Sequence, residues 1–453
     1  MLSCCSSTYS QGEAILESYV DTGLSSNLAL QQRSFRLDQS LAALKESRSY
    51  FLPALSVDAR YSVANGGRTF LIPAGDLVNP AYEGLNAILD GVEAAMLPID
   101  LPAERFPTDI QNEEVNFLRV REHETKLRLT QAIINRPANQ GYKISKQLTL
   151  LDRAAYEAYE QELRLSIQQT YFQYLIALQV VENLKSAQQL LQKNLDFVNR
   201  LIANQKLTID QRYRLEAEVA EIQANLAEAE KDRANVQAYF NFLLNRGFDA
   251  PIKVGAWPET PETDQFDFTD DRTEAFARRA ELKQAIIGTD IAAQQTKLER
   301  AINSPNLFAV VDYGFQGTEY SFTADDDFLL ASLVLRWNIF AGLKQSARVQ
   351  SAQLEQQKLQ TQEQEVRKAI ELELFQAYQN LNSAKSAWIA SSTRLKSAQK
   401  SFEMMDQRYR LGKVILLEWL DARNNLTLAE NQLAIRRYQY LIRKAEYQKA
   451  IGS

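Results

Sequence analysis

Apolar residues recur at alternating steps of three and four positions in the C-terminal part of the chain. These steps reach Leu381, Ala384, Trp388, Ser391, Leu395, Ala398, Phe402, Met405 and Tyr409, and only Ser391 is neither apolar nor aromatic. Such regularity over about four heptads predicts a coiled-coil seam on one long helix. A helix over residues 345–411 would reach about 100 Å. It therefore needs partners along its length to bury the seam.

The apolar pattern breaks at Gly412 and resumes at Val414. Glycine adopts the left-handed conformation without steric cost, which is what the C-terminal cap of a helix requires. We therefore predict an antiparallel helical hairpin whose tip lies at residues 412–417.

Elsewhere the period changes to two, which predicts strands with one apolar and one polar face. Four such segments occur, at residues 55–63, 127–133, 307–315 and 333–339. Gln131 falls on the apolar face of the second. The fourth places Leu333, Leu335, Trp337 and Ile339 on its apolar face.

The order helix, two strands, helical hairpin occurs twice, and Pro53 aligns with Pro305. Internal repetition of this kind indicates a duplicated plan. The first repeat covers residues 11–246 and contains a proline-rich loop at 64–116, and the second covers residues 272–451. Residues 247–271 form an irregular connector.

Four strands are too few to close a barrel, and an open sheet edge in lipid leaves backbone groups unpaired at a cost of several kcal/mol each. Several copies would therefore have to pool their strands. The chain has no run of about 18 apolar residues, which excludes a transmembrane helix but leaves a transmembrane barrel open.

The net charge and the reactive residues narrow the range of possible functions. A net charge of −6 and a pI near 5.3 exclude a basic nucleic-acid surface. His123, the only histidine, has no cysteine or second histidine with which to build a metal site, and we expect it at the surface. No nucleophile, base and orienting group occur together, so neither an enzyme nor a cofactor is predicted.

The N-terminal residues 1–10 contain both cysteines, Cys4 and Cys5. Three interpretations stay open. The segment is the remnant of a secretory signal, the end of a lipoprotein signal whose Cys4 or Cys5 is acylated, or a serine-rich terminus without a function.

The motif Arg408-Tyr409-Arg410-Leu411-Gly412, followed by Leu-Asp-Ala at 420–422, resembles the outer-membrane efflux proteins, the TolC-like outer-membrane factors. The duplicated plan and the strand end Asn-Ile-Phe-Ala-Gly at 338–342 support this resemblance, which covers nearly the whole chain. It implies a mixed α and β membrane protein. In such a protein a homotrimer forms one 12-stranded β-barrel in the outer membrane, continuous with a 12-helix α-barrel tunnel in the periplasm.

The same resemblance implies a passive exit duct of a tripartite efflux system, as in drug resistance, or of a type I secretion system. An inner-membrane pump and a periplasmic adaptor protein would open it, and small-molecule or peptide substrates would pass through. The alternative function is a soluble, elongated coiled-coil scaffold without transport activity. Such a scaffold has no need of four alternating strands.

The resemblance also implies roles for single residues. Glu418 and Asp421, six and nine positions after Gly412, match acids that line the periplasmic mouth. Alternatively, Glu418 only favours a helix N-terminus and Asp421 lies on a solvated face.

Tyr409 matches a tyrosine that helps to close the mouth, but Val414 stands where a basic partner is expected. Asn204 stands at the first tip in place of a glycine, and asparagine can also adopt the left-handed conformation. In a barrel, the apolar face of the fourth strand would contact outer-membrane lipid. The resemblance also implies that residues 64–116 form a large external loop.

Overall fold

The structure, a computed structural model, describes residues 11–96, 98–100, 102–261 and 267–452. The interpretations of residues 1–10, including both cysteines, lie outside the described residues. The chain divides into two compact units. A helical unit comprises Met1–Ser47, Asn139–Ile302 and Phe340–Ser453, and a sheet unit comprises Arg48–Ala138 and Asn303–Ile339.

Long helices dominate the described chain. In chain order the helices are α1 (Gln11–Ser26), α2 (Leu28–Ser49), α3 (Ala74–Ala94), α4 (Arg136–Ala203), α5 (Ile209–Leu243), α6 (Phe268–Arg278), α7 (Ala280–Ala301), α8 (Lys344–Arg410) and α9 (Leu416–Ile451). Helices α4 and α8 have 68 and 67 residues. Helix α4 is followed by the shorter α5 and helix α8 by the shorter α9, so α4–α5 and α8–α9 form two hairpins. All nine seam positions on α8 are buried or partly buried.

The single helices predicted before the strands of each repeat are in fact pairs, because each helix is broken at one residue, Asn27 in the first repeat and Arg279 in the second. Asn27 accepts hydrogen bonds from two backbone amides in the first turn of α2 and donates to a carbonyl of α5 at 2.9 Å. Arg279 separates α6 from α7. It is buried and pairs with Glu281 at 2.9 Å and with Glu373 at 2.7 Å. Each break thus ties a helix end to a distant part of the helical unit.

Two apolar clusters form the core of the helical unit. The larger one surrounds Tyr171 and joins α1, α4 and α5 to Trp257 in the segment predicted to be a connector. The smaller one packs the α4–α5 hairpin against the start of α9, with Leu191, Leu215 and Trp419 fully buried. The two hairpins are therefore held against each other near their tips.

The sheet unit is built on an antiparallel sheet with the strand order β1-β4-β5-β6. Its strands are β1 (Ala54–Val63), β4 (Arg121–Ile134), β5 (Asn306–Gly317) and β6 (Asp327–Arg336), while β2 (Thr69–Ile72) and β3 (Glu113–Asn116) form a separate hairpin. The register places Leu127 between Val57 and Tyr313. Strands β1 and β6 are the edges of this sheet.

Three sequence expectations for this unit were wrong. Strand β6 ends at Arg336, so Trp337 and Ile339 lie beyond it, and the Trp337 indole donates to the Asn303 carbonyl at 3.0 Å. The segment 64–116 is not an irregular loop but contains β2, α3 and β3. His123 is fully buried, because the Tyr320 ring packs on it with centroids 4.7 Å apart.

Candidate functional site

The α8–α9 tip is closed by a left-handed residue. Gly412 has φ of +67°, its N–H bonds to the Tyr409 carbonyl at 2.9 Å, and the N–H of Lys413 bonds to the Arg408 carbonyl at 2.9 Å. This pair of bonds satisfies carbonyls that the end of α8 would otherwise leave free. Gly412 therefore ends the helix as the sequence predicts.

The α4–α5 tip uses the same pair of bonds but a different residue from the one predicted. Gln205, not Asn204, takes the left-handed conformation, with φ of +58°. Asn204 stays at the helix end, where its side-chain amide donates to the Arg200 carbonyl at 2.9 Å. The position of the turn was predicted correctly, but the left-handed residue lies one position later than predicted.

Trp419 joins the two arms of the second hairpin. It is 1% exposed, and its indole nitrogen donates to Asp406 of α8 at 2.9 Å. Asp406 also accepts from Arg410 at 2.8 Å, and the Tyr409 ring lies 5.6 Å from the Trp419 ring between centroids. Burial raises the pKa of Tyr409. Sequence analysis missed Trp419, although its spacing with Leu416 and Leu420 indicated a buried stripe.

Glu418 and Asp421 both lie on exposed positions of α9. At about 100° of rotation per residue they are about 60° apart and opposite the buried face of Leu416, Trp419 and Leu420. The Glu418 carboxylate also accepts the Ile415 N–H at 3.2 Å. Glu418 thus closes the first turn of α9, and the two acids share one solvent-facing side of the helix.

A groove of about 470 Å³ runs between the two hairpins beside their tips. Its lining mixes acids, bases and aromatic rings: Leu190, Lys193, Asn194, Asp196, Phe197, Arg200, Asp406, Tyr409, Arg410 and Trp419. Such a mixture suits a polypeptide surface with both charged and apolar side chains better than an apolar small molecule.

Arg423, half a turn beyond Asp421, is a buried cation that sequence analysis did not identify. It is 3% exposed and donates to the Thr427 hydroxyl. Burial lowers the pKa of Arg423, and burial raises the pKa of Glu430 despite the nearby arginine. The signal in the sequence was its spacing from Leu416 and Trp419, which places Arg423 on the buried face.

One face of the sheet is apolar and open. Leu333 and Leu335 are 74% and 63% exposed. The register pairs them with Ala309 and Leu307, so they share a face with the apolar side chains of the neighbouring strands. Trp337 and Ile339 are also exposed but lie outside the strand. Large apolar surface on this scale marks contact with a partner or a lipid phase.

The other face of the sheet carries ion pairs across β1, β4 and β5, while its β6 side chains include the apolar Leu330 and Val334. Arg128 of β4 makes a two-bond ion pair with Asp312 of β5, with both distances 2.8 Å. Lys126 pairs with Glu124 at 2.5 Å, and Arg60 of β1 approaches Glu124 at 3.4 Å. A sheet with one apolar face and ion pairs on the other is suited to separate lipid from water.

No helix among residues 11–96, 98–100, 102–261 and 267–452 is long and apolar enough to cross a membrane. Over the same ranges, no three His, Cys, Asp or Glu side chains are grouped so that they could hold a metal ion.

The family model for "Outer membrane efflux protein" matches residues 272–453. Outer membrane protein TolC of Salmonella enteritidis is 22% identical over 466 residues, which cover 99% of this chain and 83% of the relative. Both matches are to outer membrane efflux proteins of the TolC type. The resemblance seen in the sequence is therefore confirmed.

Solved structures of outer-membrane channels share this fold. The CmeC channel of Campylobacter jejuni matches with a TM-score of 0.77 and 16% identity, covering 96% of this chain and 85% of CmeC. VceC of Vibrio cholerae matches with a TM-score of 0.75 and 14% identity, covering 97% and 96%. The TolC-like protein is an outer-membrane channel of efflux systems, and the scaffold alternative is not favoured. The matched family consists of transport ducts.

Proposed function

We propose that three copies of this chain assemble the duct. The observation that carries the proposal is the sheet of four strands, with an exposed apolar face, a charged opposite face and two edge strands, β1 and β6. In lipid such edges must be paired. Pairing β6 of one copy with β1 of the next closes a barrel, and three copies of four strands give twelve.

The helical units of the three copies would then line a tunnel. Each copy contributes two long hairpins, α4–α5 and α8–α9. In the proposed assembly the duct is passive, and an inner-membrane pump supplies the energy for moving small-molecule or peptide substrates. A type I secretion system would use the duct in the same way.

A periplasmic adaptor protein is the proposed partner at the hairpin tips. The groove beside Tyr409 and Trp419 is open and offers both charges and rings to a polypeptide. Gly412 sets the shape of the tip next to it. Loss of the groove or of the tip geometry should therefore uncouple the duct from its pump without unfolding it.

Glu418 and Asp421 are the proposed charge ring of the mouth. They share one exposed side of α9, and threefold symmetry would bring three copies of each together. Rings of carboxylates attract cations into a constriction. The hydrogen bond from Ile415 to Glu418 supports the helix-capping alternative as well, so the two roles must be separated by experiment.

Gel migration tests the assembly. Protein extracted from outer membranes with detergent should run as a trimer when unheated and as a monomer after boiling. A monomer under mild extraction, from cells in which efflux depends on this protein, would contradict the proposed duct.

A further inference from the structure

Residues 64–96, 98–100 and 102–120, which connect β1 to β4, form a small subdomain that we call the cap. It consists of the β2–β3 hairpin, helix α3 and an irregular segment, residues 102–112, that we call the strap. Neither the duplicated plan nor the proposed duct accounts for a folded cap at this position.

Side chains of α3 hold the strap by paired hydrogen bonds. The Asn79 amide donates to the Ile110 carbonyl at 2.9 Å and accepts the Ile110 N–H at 3.1 Å. Asn86, two turns further along, makes the same pair with Phe106 at 2.8 and 2.9 Å. A methyl group added at Gly75 would overlap the Ile110 carbonyl oxygen. One face of α3 is therefore occupied, which fixes the rotation of the helix within the cap.

The opposite face of α3 is apolar and exposed. Steps of four and three residues along it reach Leu77, Ala81, Gly84, Ile88 and Gly91, which we call the stripe. Leu77 and Ile88 are 72% and 63% exposed. Seven-residue spacing of this kind is typical of a helix that packs along another helix, and the small residues permit close approach.

The charges on α3 favour a protein partner over a membrane surface. The charged residues of α3 are all acidic, namely Asp76, Glu83, Asp90 and Glu93, and they lie off the stripe. Helices that lie on anionic membranes carry Lys and Arg on their polar face, and α3 has neither. A second copy of α3 can meet the stripe without placing like charges against each other.

The points at which the cap joins the sheet determine which copies come into contact. The cap leaves the sheet at Val63 of β1 and returns at Arg121 of β4, and β1 is an edge strand. In the proposed trimer each β1 borders the next copy, so three caps meet at one end of the barrel. We propose that the three α3 helices pack on one another through their stripes and narrow that opening. This inference rests on the proposed trimer.

Cysteine cross-linking tests the contact directly. The chain has only two cysteines, so Cys4→Ser with Cys5→Ser gives a cysteine-free background for a single Ile88→Cys. A mild oxidant applied to intact cells should yield covalent dimers of Ile88→Cys, because a disulfide joins two of three copies. Glu83 is exposed on the other side of α3, so Glu83→Cys should yield several-fold less covalent dimer. Ile88→Asp should raise single-channel conductance, whereas Glu83→Gln should leave it unchanged.

The outcomes separate this inference from the duct itself. If unheated samples show the trimer but Ile88→Cys stays monomeric, or links no better than Glu83→Cys, the packing of α3 is overturned and the duct stands. Protection of Ile88→Cys from an impermeant maleimide, without any cross-link, would place α3 on lipid and also overturn it. Absence of the trimer would overturn both proposals.

Discussion

The Trp419 indole donates a hydrogen bond to the Asp406 carboxylate at 2.9 Å and so joins α9 to α8 beside their common tip. The other oxygen of Asp406 accepts from Arg410 at 2.8 Å. One carboxylate therefore holds both arms of the hairpin at an end where Val414 offers no charge.

Trp419→Phe should loosen the tip, because it keeps a ring in the core but removes the N–H that Asp406 accepts. A hydrogen bond to a charged group contributes about 1.5 to 3 kcal/mol. Trypsin should therefore cleave faster after Arg410 and Lys413, which border the tip. Trp388→Phe is the matched control, since Trp388 is equally buried on α8 but distant from the tip. Equal cleavage rates in the two variants would argue against this role of Asp406.

Gly412→Val should abolish efflux while the trimer persists. A β-branched residue at φ of +67° is strained, at about 1 to 2 kcal/mol for the left-handed conformation alone, and the tip must change shape. Gly412→Asn is the control, because asparagine tolerates this conformation and should retain efflux. Drug susceptibility and trimer abundance are the measurements. Full efflux by a well-expressed Gly412→Val variant would show that tip geometry is not needed.

Leu335→Arg should reduce the amount of assembled trimer. It would place a charge on the apolar face of β6, at a cost of about 2 to 4 kcal/mol near the bilayer midplane. Ser332→Arg is the control because Ser332 lies on the opposite face of the same strand. Trimer yield from the outer membrane distinguishes the two. Equal losses would contradict the assignment of the faces.

Glu418→Gln combined with Asp421→Asn should reduce the cation selectivity of the channel in planar bilayers. Glutamine keeps an oxygen that can accept the Ile415 N–H, so the cap of α9 is preserved while the charge is lost. Block by multivalent cations should also weaken, but only from the side that the hairpin tips face, because charges are screened within about 8 Å at physiological salt. Wild-type selectivity in this variant would leave Glu418 as a helix cap alone.

Periodicity along the chain determined the large elements of this protein. The seam from Leu381 to Tyr409 predicted the long helix α8, and the alternation that begins at Leu55 predicted β1. Such patterns depend on local geometry, since a helix returns to the same face after three or four residues and a strand after two. The turn at Gly412 was also predictable, because few residues other than glycine adopt positive φ readily.

Several features depend on contacts between residues that are distant in the sequence, and only the tertiary structure decided them. Gln205 and not Asn204 became left-handed, although asparagine has the better local propensity. Strand β6 stops at Arg336 although alternation continues to Ile339, because β5 begins at Asn306, the partner of Arg336, and pairing ends there. Trp419 and Arg423 are buried because the α4–α5 hairpin packs on the start of α9. The sequence determined which faces are apolar, whereas only the fold determined which of them another segment covers.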